Sequence, residues 1–122
     1  MTVIDKASRA SIRLYIIQRG TAVLMVPLIV GHIVVIFYAT RKGLSAADIL
    51  GRTRGNICWG LYYTTFVLAA SAHGAIGVRS VLREWGPAVI AYHPRRLDAM
   101  MWGNGICLAA LGLRAIHAVV VP

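Results

Sequence analysis

Three histidines stand inside long apolar stretches of the chain: His32, His73 and His117. An imidazole is costly there, because hydrocarbon offers no water to its polar nitrogens. Two roles account for such a residue. It can be a packed ring hydrogen-bonded to a neighbouring helix, or it can be a ligand, above all to a metal or a haem iron. His117 is five residues from Pro122, so snorkelling to the interface suits it, and Arg114 to a lesser degree. The surroundings of His73 favour ligation. In "SAHGAIGVRSVLREW", residues 71–85, Gly74 and Gly77, with Ala70 before them, remove the bulk that would keep a flat macrocycle off a helix. Arg79 follows, able to leave its stem in the apolar zone while its guanidinium meets a propionate. Ordinary helix packing and a snorkelling arginine are the competing reading of the same residues.

Spacing separates the two inner histidines. His32 lies thirteen residues after Arg19, roughly 20 Å along a helix. His73 lies six residues before Arg79, about 9 Å on a helix running the opposite way. The two therefore belong to different depths and do not share one metal. Each can give one axial ligand to a separate haem, the opposite ligand coming from a partner chain.

The elements that must position them are membrane helices. The chain has 122 residues, 58% hydrophobic and 14% charged, with a mean hydropathy of +0.69. A soluble domain of this size cannot hide that much apolar surface, and three stretches reach the length needed to cross a bilayer. Residues 20–39 carry no charged side chain, residues 57–78 carry no formal charge, and residues 99–121 are interrupted only by Arg114 and His117. The expected architecture is all-α, with three transmembrane helices at about residues 20–39, 57–81 and 99–121 of a single membrane domain, 1–122. Few polar groups inside these helices find partners within so short a chain. Small residues on the second helix (Ala69, Gly74, Gly77) and the third (Gly105, Ala109, Gly112) invite close neighbours. The chain reads as half of a two-chain helix bundle.

The net charge of +9 raises the possibility of nucleic acid, but the basic residues flank the apolar stretches instead of forming a stripe. They are topogenic. Lys6, Arg9, Arg13, Arg19, Arg79, Arg83, Arg95 and Arg96 fall on one side; Arg41, Lys42, Arg52 and Arg54 fall on the other. The positive-inside rule then puts the N-terminus in the cytoplasm and the C-terminus outside, in a multi-pass cytoplasmic (inner) membrane protein. The arginine-broken N-terminal stretch is unlike a cleaved signal peptide and is expected to persist as an amphipathic lead-in, with Ile12, Tyr15 and Ile16 on one face. In the first loop, Ser45 and Asp48 have the spacing of a capping box. Cys58 and Cys107 lack C-x-x-C spacing and read as packing residues.

"HGAIGVRSVLREW" resembles the second-helix signature of the small cytochrome b membrane-anchor subunits of succinate dehydrogenase and fumarate reductase, the complex II family. There a haem-ligating histidine is followed by a glycine four residues on, a basic residue, and then an acid and an aromatic residue. "IIQRGTAVLMVPL", residues 16–28, resembles the start of the family's first helix. The likeness spans residues 14–86 in motif and the whole chain in layout. It implies that His73 is the axial ligand of the haem b nearer the dehydrogenase, and that Arg19 borders a quinone pocket. Glu84 and Trp85 fall where the family has an acid followed by a quinone-bonding tyrosine. Trp85 departs from that pattern: an indole donates a hydrogen bond but is no phenol. Tyr15, one turn before Arg19, sits where some relatives carry a serine hydroxyl. His32 resembles the first-helix ligand of the two-haem members, with Arg114 then a partner for the outer haem's propionates alongside Arg79 for the inner one.

The resemblance implies a haem b-binding anchor of succinate:quinone oxidoreductase, an enzyme of electron transport and the tricarboxylic acid cycle. Such an anchor passes electrons from an iron–sulfur subunit to membrane quinone through one or two haems. A flavoprotein, the iron–sulfur protein and a second small anchor chain are the implied partners. No flavin or iron–sulfur motif is present, so no catalytic residue for succinate oxidation is assigned. The alternative is a non-redox membrane protein that packs in an assembly or transporter and leaves both histidines without haem.

Overall fold

Residue types that break helices in water do not break the first one here. In a computed structural model, which describes the backbone of residues 3–121 and side chains from residue 9 to 121, a single helix α1 runs Val3–Arg41. The topogenic Lys6 lies outside the described side chains. α1 passes through Pro27 without interruption; proline costs one backbone donor, but hydrocarbon leaves the other backbone groups no partner except the helix itself. At 39 residues it measures about 58 Å, nearly twice the ~30 Å hydrocarbon thickness. The lead-in and the first transmembrane stretch are therefore one rod, starting well before residue 20.

α2 is the short helix Ala46–Thr53. Its capping box forms as the spacing predicts: the Asp48 N–H donates to Ser45 Oγ (3.2 Å) and the Ser45 N–H donates to Asp48 Oδ2 (2.9 Å). Gly43 and Gly55, at φ +61° and +68°, make the turns on either side. α2 docks on the end of the last helix. The Thr53 hydroxyl donates to the Val119 carbonyl (2.9 Å) and the Gly55 N–H to the Val120 carbonyl (2.8 Å). Both acceptors belong to the final turn, whose carbonyls have no partner inside their own helix.

α3, Ile57–Trp85, is capped by Asn56, whose Oδ1 accepts from the Cys58 and Trp59 N–H groups. A four-residue turn of helix, α4 (Ala88–Ala91), follows, and α5 runs Pro94–Val120 with proline in its first turn. α1, α3 and α5 are each long and apolar enough to cross a membrane. Large apolar side chains point outward, as lipid permits: Val23 is 73% exposed and Ile57 75%.

α3 is the central element and packs on both others. Against α5 the contact rests on missing side chains. A Cβ on Gly112 would stand 2.5 Å from Val67 Cγ1, and one on Gly105 would stand 3.1 Å from the Ala75 Cβ. Against α1, a Cβ on Gly31 would meet the Tyr62 hydroxyl at 2.9 Å, and that hydroxyl donates to the Leu28 carbonyl. Ala75, Ile76 and Met101, with Leu14 leaning on them, form the buried core where the three long helices converge.

Candidate functional site

His73 sits on the face of α3 that meets α1 and is half-buried. Its Nδ1 lies 3.3 Å from the Gln18 backbone carbonyl and 3.4 Å from Thr21 Oγ1. The carbonyl can only accept. The Thr21 hydroxyl is directed at carbonyls of its own helix, Ile17 O at 2.8 Å and Gln18 O at 3.1 Å, so it too accepts from the ring. Both neighbours therefore put the proton on Nδ1 and leave the lone pair on Nε2, which has no partner among the described residues. A ring tethered through one nitrogen with the other free is the arrangement of a metal-ligating histidine. Among the described residues no three of His, Cys, Asp and Glu cluster as a protein-only metal site.

The glycines beside His73 behave differently from those at the helix contacts. A Cβ on Gly74 would meet Leu108 at 3.5 Å, and one on Gly77 would meet Gln18 Nε2 at 3.5 Å. Both are ordinary contacts, so packing inside the chain does not require glycine at either position, as it does at Gly112.

A cleft of about 150 Å³ opens between α1 and α3 one to two turns nearer the N-terminal end of α1, lined by Ser11, Tyr15, Gln18, Arg79, Ser80 and Arg83 among others. It brings Tyr15 and Arg79 together. Arg19 does not line it; its guanidinium lies over the outer face of the Tyr15 ring, 5.3 Å from the centroid. Glu84 and Trp85 stay at the exposed end of α3, Trp85 at 85% exposure, outside the cleft. Arg79 Nε donates to Asp98 Oδ1 at 2.8 Å, linking α3 to the first turns of α5.

His32 has a different setting. Its ring meets Tyr63 edge-on at 5.9 Å and Phe66 at 5.7 Å, both on α3, and its Nδ1 is buried without a hydrogen-bond partner among the described residues. It lies eleven residues beyond Thr21, about 16 Å further along α1. Arg114 is exposed on α5 and makes no hydrogen bond or ion pair among the described residues.

Residues 6–113 match the family described as succinate dehydrogenase/fumarate reductase transmembrane subunit. The chain belongs to this family. No curated protein and no solved structure matches it. The match takes in α1, α2, α3 and α4 almost entirely and most of α5, so the family covers His32, His73 and the whole cleft. As a subunit of this kind, the chain is a multi-pass membrane component of the succinate dehydrogenase/fumarate reductase assembly, and its three membrane-length helices agree with that.

Three residues in this transmembrane subunit carry contacts that sequence reasoning did not assign: Gln18, Thr21 and Asp98. Gln18 and Thr21 are three apart on α1, one helical face, and that spacing was available as a signal. Gln18 also keeps its side-chain oxygen buried and unpartnered. For Asp98 the signal was charge: it is the acid nearest the start of an otherwise apolar helix that begins with Arg95 and Arg96.

Proposed function

We propose that this transmembrane subunit binds haem b through His73 Nε2 and passes electrons between an iron–sulfur subunit and membrane quinone. The observation that carries the reading is the tethered ring, its Nδ1 facing the Gln18 carbonyl and the Thr21 oxygen. Gly74 and Gly77 support it, since nothing inside the chain demands their lack of a side chain. Bound haem b supplies a one-electron relay; the chain's own residues hold, orient and shield. Gln18 and Thr21 fix the His73 tautomer and raise the basicity of its free nitrogen. Arg79 keeps guanidinium N–H groups for a propionate beyond the one bonded to Asp98.

Quinone reduction takes two electrons and two protons. The Tyr15 hydroxyl, at the cleft, can donate a hydrogen bond to a quinone carbonyl, with Arg19 stacked on its ring. Glu84 and Trp85 complete the proposed quinone-side surface from the end of α3. His32 is the proposed ligand of a second haem, with Arg114 toward its propionates. A flavoprotein, an iron–sulfur protein and a second anchor chain complete the assembly in this reading. The iron–sulfur side faces the basic N-terminal end of α1, which makes that side the cytoplasm of an inner-membrane enzyme.

The test is a reduced-minus-oxidised difference spectrum of the assembly purified from membranes, with pyridine haemochrome measured against flavin. A b-type band at one or two haems per flavin is expected. No b-type band would leave the non-redox reading, in which the histidines only pack.

A further inference from the structure

The side of α3 that turns toward α5 carries a second feature. A groove of about 390 Å³ runs between α1 and α5, walled by Leu14, Ile17, Ala72, Ala75, Gly105 and Ala109, with Trp102 at its edge. None of His73, Gln18 or Thr21 lines it. It is apolar apart from Ser71 and the Trp102 indole N–H, and it adjoins a wider recess of about 460 Å³ that shares Leu14, Ile17, Met101 and Trp102 but is rimmed by Arg9, Arg13, Arg79 and Asp98. Asp98 is committed to Arg79. Arg9 and Arg13 are exposed and form no ion pair among the described residues, so the mouth is left positive.

Dimensions decide what fits. From Met101 to Ala109 on α5 the groove spans eight residues, about 12 Å of helix, close to the ~15 Å thickness of one hydrocarbon leaflet. Arg9 and Arg13 stand five residues and one residue before Leu14, the groove's first wall residue on α1, about 7.5 and 1.5 Å beyond its upper end, toward headgroup level. Trp102, 65% exposed at the junction, has an indole N–H suited to an ester carbonyl. An apolar slot close to one leaflet deep, ending in a mouth that is positive among the described residues, matches an anionic amphiphile by chemistry.

We propose that this groove is a binding site for an anionic phospholipid, its acyl chain against Ala72, Ala75 and Ala109 and its phosphate between Arg9 and Arg13. His73 itself does not line the groove, although Arg79 at the mouth also faces the proposed haem side. The test uses the assembly purified from membranes, exchanged into detergent containing equal phosphatidylglycerol and phosphatidylcholine, and weighed by native mass spectrometry. The intact assembly is expected to retain phosphatidylglycerol preferentially. Arg9→Gln with Arg13→Gln, both at exposed side chains, should lower that preference roughly fivefold for each arginine. Ala109→Leu, which fills the groove, should reduce retention of both lipids while haem content stays unchanged. An unchanged preference in the double arginine variant would overturn the proposal. So would an Ile106→Cys variant that cross-links through the groove to a neighbouring protein helix, since a protein would then occupy it.

Discussion

The two histidine regions of this chain differ in how much of a ligand site they prebuild. At His73 the ring is aimed: one nitrogen faces two acceptors on α1, the other is free, and the adjacent glycines leave space that the chain itself does not use. At His32 the ring is packed but not aimed, resting on Tyr63 and Phe66 with a buried nitrogen unmet. The difference follows from neighbours. α1 offers a threonine and an available carbonyl beside His73, whereas α3 offers His32 aromatic faces. A preorganised ligand loses less freedom on binding, so the His73 end should hold its haem more tightly than the His32 end.

That contrast can be broken at several strengths. The largest effect belongs to His73→Ala, which should abolish the haem at that end, while His32→Ala should remove at most the second haem and leave the first; pyridine haemochrome against flavin in both variants reads this out. A gain of tight binding at His32 over His73 would reverse the comparison. Next, Thr21→Val removes one of the two acceptors facing His73 Nδ1 and should weaken haem retention by about 10-fold or more, followed as haem loss during detergent washing. Removing the outer neighbour Tyr63 as Tyr63→Phe should leave retention at the His73 end untouched.

The glycines sharpen the contrast at a smaller scale. Gly112→Ala drives a methyl into Val67 and should destabilise the α3–α5 contact by about 1–3 kcal/mol, lowering the thermal unfolding midpoint of the assembly without a specific loss of haem. Gly77→Ala should do the opposite: little change in unfolding, but reduced haem content, because its Cβ is tolerated inside the chain. Smallest is the capping box. Hydrogen bonds from the Ser45 side chain and then its backbone hold the Asp48 carboxyl below its ordinary value of 3.8. A depressed carboxylate stabilises the fold above its unfolded pKa and loses that contribution as pH falls through the lower folded value. Protection of the α2 amides, taken relative to their intrinsic exchange rate at each pH, should therefore fall only under acid conditions below 3.8, and in Ser45→Ala it should already be lowered at neutral pH.

Much of the architecture was readable in the sequence because hydrocarbon thickness converts directly into a count of apolar residues. The second loop's arginines and prolines gave the break before α5, and Ser45–Asp48 gave the start of α2. What the sequence leaves open is the join of lead-in and membrane stretch: charges at Arg9, Arg13 and Arg19 end the hydrocarbon stretch but do not end a helix, so one rod reaches back to Val3. The docking of α2 on the last carbonyls of α5 was also out of reach, since backbone groups leave no sequence pattern. At the site, the histidines and Arg79 stood out as polar residues in apolar surroundings. Their partners did not. In a membrane helix the lipid face and the packed face are both apolar, so periodicity fails to say which side of α1 meets α3. Gln18, Thr21 and Asp98 became meaningful only once the faces were placed, and Glu84 and Trp85, adjacent in sequence to the site, proved to lie beyond the cleft.

The central claim is that His73 Nε2 binds the iron. The most direct measurement is the optical redox titration of the His73→Met assembly beside the unsubstituted one. Replacing an imidazole ligand by a thioether raises the potential of a b-type haem, so the account predicts a positive shift of the midpoint of one haem, or the loss of that haem altogether. A variant that keeps every haem with unchanged spectrum and unchanged midpoint would contradict it.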